Sequence, residues 1–371
     1  MLNDLTVKPG PQFYRYHIGA IDHVPDVLQD FKAKNVLVVH GDISFKKAKP
    51  KLSFLNNHQF NFFYHQYTGE CSYYGMEQVV KAVEKNDIDF IIGVGGGKLS
   101  DLVGLSAHKS NVNFGLIPTL ASNCAPWTAL SVMYKESGES EGEIEYYYRQ
   151  ASFLITDPEL VIDAPVDYFI AGLADTIAKW YETITILEQD NYKKEPFLDI
   201  AKHVSTLCKD EIMANSTKAI QDMKQQIVSD EYVRLSEIVF AIAGLVGGFG
   251  DRYARSAAAH AIHDAISQCI SESHEFLHGH KVAYGILYQL ALEKNWEEID
   301  HLLPFYQEME LPLSLTTMGI FPSDESVLDD IAAIIYSMDE VHLLPIEITQ
   351  DKLKQAIYDL EEYINRYKNK D

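Results

Sequence analysis

Histidine is concentrated in one stretch of this chain. Five of its 14 histidines, His260, His263, His274, His278 and His280, fall between positions 260 and 280. Neutral imidazole is a preferred ligand of zinc and iron, so the cluster points to a metal, although each histidine alone reads as an ordinary surface or core residue. His260 and His263 stand three apart in SAAAHAIH, whose small residues predict a closely packed helix with both rings on neighbouring faces. Residues 274–278 spell HEFLH, a match to H-E-x-x-H. That zinc-protease signature requires one helix carrying both histidines, with the glutamate as base. Gly279 follows at once, the next helical pattern starts near Lys281, and no third ligand follows at a suitable distance, so the match is set aside. Upstream, AGLADTIAKWY places Asp175 and Lys179 one helical turn apart. Such a pair on a surface contributes only about 0.2–0.5 kcal/mol. The small apolar neighbours predict burial instead, where a carboxylate needs a compensating partner, and a metal would be one.

A second chemical feature is the run Gly93-Val94-Gly95-Gly96-Gly97-Lys98, which leaves a strand pattern and enters a helical one containing Asp101. Glycines there let backbone N–H groups approach a pyrophosphate that sits on the positive end of a helix. The order is not G-x-G-x-x-G, and Leu99 stands where a P-loop needs Ser or Thr. A plain strand-to-helix turn is the simpler alternative, but three consecutive glycines are costly unless something approaches closely.

These residues need elements to hold them. Residues 36–40, 89–93 and 114–118 are short continuous apolar runs, and residues 75–85 have helical spacing. Buried strands separated by helices predict a parallel sheet covered on both faces. Residues 131–134 and 144–148 flank a Gly- and Glu-rich turn and predict a hairpin, with 136–145 as its solvated tip. After Pro165 nearly everything is helical, ending in a stripe of Leu353, Ile357, Leu360 and Ile364 behind Thr349 as N-cap. The expected division is an α/β dinucleotide-type domain over 1–165 and a helical domain over 166–371.

Length and charge bound the function. A chain of 371 residues suits two domains, and 47% hydrophobic with 23% charged residues is globular composition. A net charge of −23 argues against nucleic acid and anionic membrane as partners. The four cysteines are scattered without a C-x-x-C pair, so neither a disulfide framework nor a thiolate zinc cluster is expected. No signal peptide and no membrane span are expected, which makes a reduced cytoplasmic enzyme the default.

The combination resembles a known family. IIGVGGGKLSD (91–101), IPTLASNCAPWTALSVMY (117–134), AGLADTIAKWYE (171–182), GLVGGFGDRYARSAAAHAIH (244–263) and FLHGHKVAYGI (276–286) are similar to the glycerol dehydrogenase branch of the metal-dependent, iron-containing alcohol dehydrogenases. Within it the likeness is strongest to hydroxycarboxylate dehydrogenases, which reduce 2-oxo acids. The resemblance implies a dehydroquinate synthase-like fold with an active site in the cleft, and a homo-oligomer. It implies a metal at Asp175, His260 and His278, the two histidines being 18 residues apart as in glycerol dehydrogenases. Lys179 stands where iron-type members carry a fourth, histidine ligand, which favours zinc over iron. Gly95, Gly96, Gly97, Lys98 and Asp101 map to the pyrophosphate side of the cofactor, and Thr119, Ser122, Thr128, Leu130 and Tyr134 to the nicotinamide side.

Two departures bear on function. Gly41 occupies the place of the acidic residue that holds the adenosine ribose, so a 2′-phosphate is not repelled and Lys46 or Lys47 could pair with it. NADP(H) is therefore expected over NAD(H), with Asp42 as the counter-argument. Cys124 replaces the polyol-binding aspartate of glycerol dehydrogenases. With Lys179 and Arg252 adding positive charge, a substrate carboxylate is better served than a neutral polyol. The expected reaction is reduction of a small 2-oxo acid, with Lys179 on the carboxylate and His263 as proton relay. A polyol dehydrogenase using the same site is the alternative. A nucleotide-binding relative without turnover, or a carbocycle-forming one like dehydroquinate synthase, is the third.

Overall fold

A computed structural model describes residues 2–368. The chain divides into two compact units, one built from residues 8–169 with 218–245 and one from residues 1–7, 170–217 and 246–371. The main crossing at 169/170 lies close to the expected 165/166. The two excursions, 1–7 and 218–245, have no counterpart in the expected division.

The first unit is a parallel sheet. Its strands are β1 (Tyr14–Tyr16), β2 (Asn35–His40), β3 (Asn61–Gln66), β4 (Phe90–Gly95), β5 (Asn113–Pro118) and β8 (Phe153–Thr156), in the order β1-β8-β5-β4-β2-β3. Every residue of β4 is buried, as a strand covered on both faces requires. The two-residue period sorts the apolar side chains into separate cores. Val36, Val38, Phe90, Ile92 and Val94 pack on one face, and Leu37, Val39, Ile91 and Leu116 on the other. β2 pairs His40 with Val94 of β4, and β4 pairs Gly95 with Pro118 of β5, so their C-terminal ends lie side by side. From β2 the chain goes outward to β3, then returns to β4 and continues to β5 on the other side. The strand order therefore reverses between β2 and β4, the place where open α/β sheets take their ligands. The strands β1, β3 and β8 were not expected from the sequence.

Antiparallel strands β6 (Leu130–Tyr134) and β7 (Ser140–Tyr146) form the hairpin. The acidic run is not all tip, because Glu141, Glu143 and Glu145 lie on β7. Tyr134 already pairs with Ser140, which confines the turn to the residues between them.

The second unit is helical. The helix Gln350–Lys368 buries Leu353, Ile357, Leu360 and Ile364, and Thr349 Oγ1 accepts the N–H of Lys352 at 3.2 Å. Asp230–Tyr253, which begins in the first unit, is a 24-residue helical run long and apolar enough to cross a membrane by length and composition. Leu235, Val239, Phe240 and Ala241 within it are buried inside the protein, the behaviour of a core helix. It is interrupted by a π-helical turn at Ile238–Ile242.

Candidate metal centre and dinucleotide loop

Three helices supply the metal candidates. Val166–Leu187 carries Asp175, Lys179 and Glu182 at i, i+4 and i+7, which puts them on one face. Ala258–Cys269 carries His260 in its first turn, and His278–Leu292 begins with His278. Asp175 Oδ1 lies 3.1 Å from His260 Nε2 and 3.2 Å from His278 Nε2. One ligand atom from each residue lies within 4.8 Å of the other two.

The residues behind these donors suit a metal. His260 Nδ1 is 2.6 Å from Glu182 Oε2, and His278 Nδ1 is 3.1 Å from His263 Nε2. With Nδ1 occupied in this way, each ring can offer Nε2 as a ligand. One carboxylate and two imidazoles make a three-donor set of the catalytic type, with room for a substrate atom. Burial works to raise the Asp175 carboxyl, but the Lys179 ammonium and the His260 and His278 rings overcome it and hold the group well below the usual range. Glu182 is likewise lowered, its burial outweighed by the charge and hydrogen bond of His260 and by Lys179.

Packing fixes the three helices together. Gln289, buried, accepts the N–H groups of Ala258 and Ala259 at 3.1 and 3.3 Å and donates to Tyr181 O at 3.1 Å. A Cβ at Gly279 would fall inside the van der Waals shell of Ala171 O, and one at Gly285 inside that of Ala259 O. Glycine at both positions is what lets these helices approach backbone to backbone.

The other expected residues fall in varied places. Lys179 is 7% exposed and donates to Arg255 O at 3.3 Å. Arg252 does not join it, because its guanidinium is 3.1 Å from Asp4 and lies over the Tyr253 ring. His263 is buried behind His278, with Nδ1 2.9 Å from Asp264 Oδ1, so it braces that ring instead of facing the three donors. Burial and the neighbouring His278 push the His263 imidazole down to about 3. The H-E-x-x-H match is not a helix. His274 lies in a 3-10 turn, the chain is extended at Phe276 and Leu277, and His278 starts the next helix. Glu182 was missed. Its signal was the i+7 spacing from Asp175 on the same predicted helix.

In the first unit, Gly95 ends β4, Gly96 caps the helix Gly97–Ser110, and Gly97 begins it. The leading amides of a helix lack intrahelical partners, so this turn presents donors suited to phosphate. The glycines also make room for the chain. A Cβ at Gly96 would meet Leu120 at 2.9 Å, and one at Gly97 would meet the Asn123 amide at 2.6 Å. Thr119 N bonds Gly95 O at 3.0 Å, and its buried hydroxyl has no partner among the described residues, as a group awaiting a ligand would. Ser122 and Cys124 are half-buried on the same loop, and Thr128 Oγ1 bonds Ala125 O at 3.3 Å. Leu130 and Tyr134 share the half-buried face of β6.

Two of the expected cofactor residues have partners within the protein. Lys98 Nζ pairs with Glu70 at 2.6 Å and lies over the Tyr134 ring. Asp101 is buried and accepts the N–H of Val132 at 3.1 Å, so it braces the hairpin; burial pushes its carboxyl up to about 8. At the end of β2, Gly41 is followed by Asp42, whose carboxylate is 3.0 Å from Lys46 Nζ.

Residues 11–158 match the model of the family described as iron-containing alcohol dehydrogenase. The chain is 31% identical over 367 residues to hydroxycarboxylate dehydrogenase A of Escherichia coli K12, covering 97% of this chain and 99% of that protein. It is 29% identical over 330 residues to a glycerol dehydrogenase of Citrobacter freundii, covering 88% and 89% of the two chains. The crystal structure of a probable glycerol dehydrogenase from Sinorhizobium meliloti 1021 superposes with a TM-score of 0.85 at 26% identity, over 96% of this chain and 98% of that one. The chain belongs to the iron-containing alcohol dehydrogenase family. It is a dehydrogenase acting on CH–OH groups with a nicotinamide dinucleotide.

Proposed function

We propose that the chain catalyses the metal-dependent reduction of small 2-oxo acids, such as 2-oxoglutarate or 2-oxobutanoate, to 2-hydroxy acids. The observation that carries this reading is Lys179, a buried cation one helical turn from Asp175. A carboxylate substrate needs a fixed positive charge in a protein of net charge −23. Cys124, an uncharged thiol in place of the polyol-binding aspartate of glycerol dehydrogenases, supports it. So does the full-length similarity to a protein named hydroxycarboxylate dehydrogenase A.

Asp175, His260 and His278 would hold a divalent metal, zinc in preference to iron because Lys179 replaces the fourth histidine. When bound, such a metal polarises a substrate oxygen and stabilises developing negative charge on it. The glycine turn at 95–97 and Thr119 would hold the dinucleotide, whose nicotinamide supplies the hydride. Gly41 leaves the ribose without a carboxylate in line with β2, and the Asp42–Lys46 pair neutralises the next one, so NADPH is the proposed donor.

The test is NAD(P)H oxidation with 2-oxoglutarate, 2-oxobutanoate, dihydroxyacetone and glyceraldehyde, with and without chelator. The oxo acids should show the higher kcat/KM, chelator should abolish turnover, and NADPH should exceed NADH. Turnover confined to the neutral carbonyls would replace this reading with the polyol one, which the glycerol dehydrogenase relatives favour. A strong NADH preference would assign Asp42 to the ribose.

Lys179→Met keeps most of the buried stem's volume and removes its charge. KM for oxo acids should rise about 10- to 100-fold, the worth of one charge-assisted hydrogen bond at roughly 1.5–3 kcal/mol. Neutral ketones should be affected less. Equal effects on both would mean that Lys179 only balances Asp175 and Glu182.

A further inference from the structure

We propose that Glu182 is a positioning residue for the metal centre, holding His260 in the tautomer that offers Nε2 as a ligand. The inference rests on the metal reading above. Glu182 is fully buried, two turns beyond Asp175 on the same helix. Its two oxygens act on one target. Oε1 accepts the backbone N–H groups of Ala257 at 2.7 Å and His260 at 2.9 Å, while Oε2 lies 2.6 Å from His260 Nδ1.

An ionised carboxylate only accepts hydrogen bonds. Nδ1 must therefore carry a proton toward Glu182, which leaves Nε2, 3.1 Å from Asp175 Oδ1, as the ring nitrogen that can give up its proton to a metal. A carboxylate behind a ligating imidazole also makes the ring a stronger donor to the metal. The same side chain satisfies N–H groups at the start of the helix Ala258–Cys269, which have no partner within it. One residue thus sets where the His260 backbone lies and which ring nitrogen it presents. A helix cap alone would account for Oε1 and leave the approach of Oε2 to the ring without a cause.

Glu182→Gln separates the two duties. Only the amide oxygen can serve the two backbone N–H groups, so the new NH2 must occupy the place of Oε2. There it faces Nδ1 and can only donate to it. The ring proton is displaced to Nε2, where it makes a satisfactory hydrogen bond to Asp175 Oδ1. The metal-free protein stays fully bonded, but Nε2 no longer has a lone pair to give.

Zinc affinity, measured by competition with a chromophoric chelator, is expected to fall about 10- to 100-fold in Glu182→Gln. The melting temperature of the metal-free protein should stay close to that of the parent. Glu182→Ala, which also removes the cap, should lose both. Equal zinc affinity in the parent and in Glu182→Gln would overturn the proposal and leave the metal reading intact. A matching loss of metal-free stability in the Gln and Ala variants would overturn it as well, because Glu182 would then be a cap only. Failure of the parent protein to take up zinc would overturn both readings.

Discussion

His278→Ala is expected to lower kcat/KM by at least about 10³-fold, on the order of 4 kcal/mol of transition-state stabilisation, while leaving the fold standing. The size of the effect follows from the donor count. Asp175, His260 and His278 are the one group of three metal-capable side chains found among the described residues, and a catalytic zinc site generally has three protein ligands. Removing one leaves two donors for a cation that must also polarise a substrate oxygen. His278 is the informative position because its side chain is 36% exposed and it is the first residue of its helix, where truncation opens no deep cavity. Asp175 is less suitable. It is buried beside Lys179, and its loss would remove one of the two carboxylates that offset that buried ammonium. Metal content by elemental analysis and the melting temperature of the metal-free protein complete the measurement. Turnover and metal content at parent levels in His278→Ala would move the centre elsewhere.

The sequence pointed to the three candidate donors but not to what holds them. Asp175, His260 and His278 could be named because their types and spacing match a family pattern. β2, β4 and β5 could be named because short, continuous apolar runs between helical segments are what strands covered on both faces require. The edge strand β3 was hidden because NFFYHQ is only half-buried and mixes the two periods. The short strands β1 and β8 gave too few residues to show a period. Side-chain direction was the larger loss. Arg252, Lys98 and Asp101 had the right types for the site, yet each is committed to a neighbour distant in sequence: Asp4, Glu70 and the N–H of Val132. No spacing rule anticipates partners that only the fold brings together. Glu182 shows the converse. Its place two turns from Asp175 was visible, but its meaning depended on a helix some 75 residues away arriving with His260 against it.

Gly279→Ala is expected to be nearly as damaging to catalysis as losing a ligand, although it touches no donor. The helix His278–Leu292 meets its neighbours at two glycines, Gly279 against Ala171 O and Gly285 against Ala259 O. Each contact lies beside a ligand. Ala171 is one turn before Asp175, Ala259 adjoins His260, and Gly279 adjoins His278. The close approaches therefore fix the axial register among the three donors, and the neighbour at each is backbone, which cannot rotate aside. A methyl group at position 279 must push the helices apart, at a cost of about 1–3 kcal/mol or more. The resulting misplacement of His278 by on the order of 1 Å should cost about 10²-fold in kcat/KM, with a parallel loss of zinc affinity. Gly247→Ala is the control, since a Cβ there would meet only the flexible Arg255 side chain at 3.4 Å. In a helix interior it should leave activity unchanged and stability equal or slightly raised. If Gly279→Ala bound zinc and turned over like the control, the register of the donors would have to be set by the Gln289 and Glu182 hydrogen bonds alone.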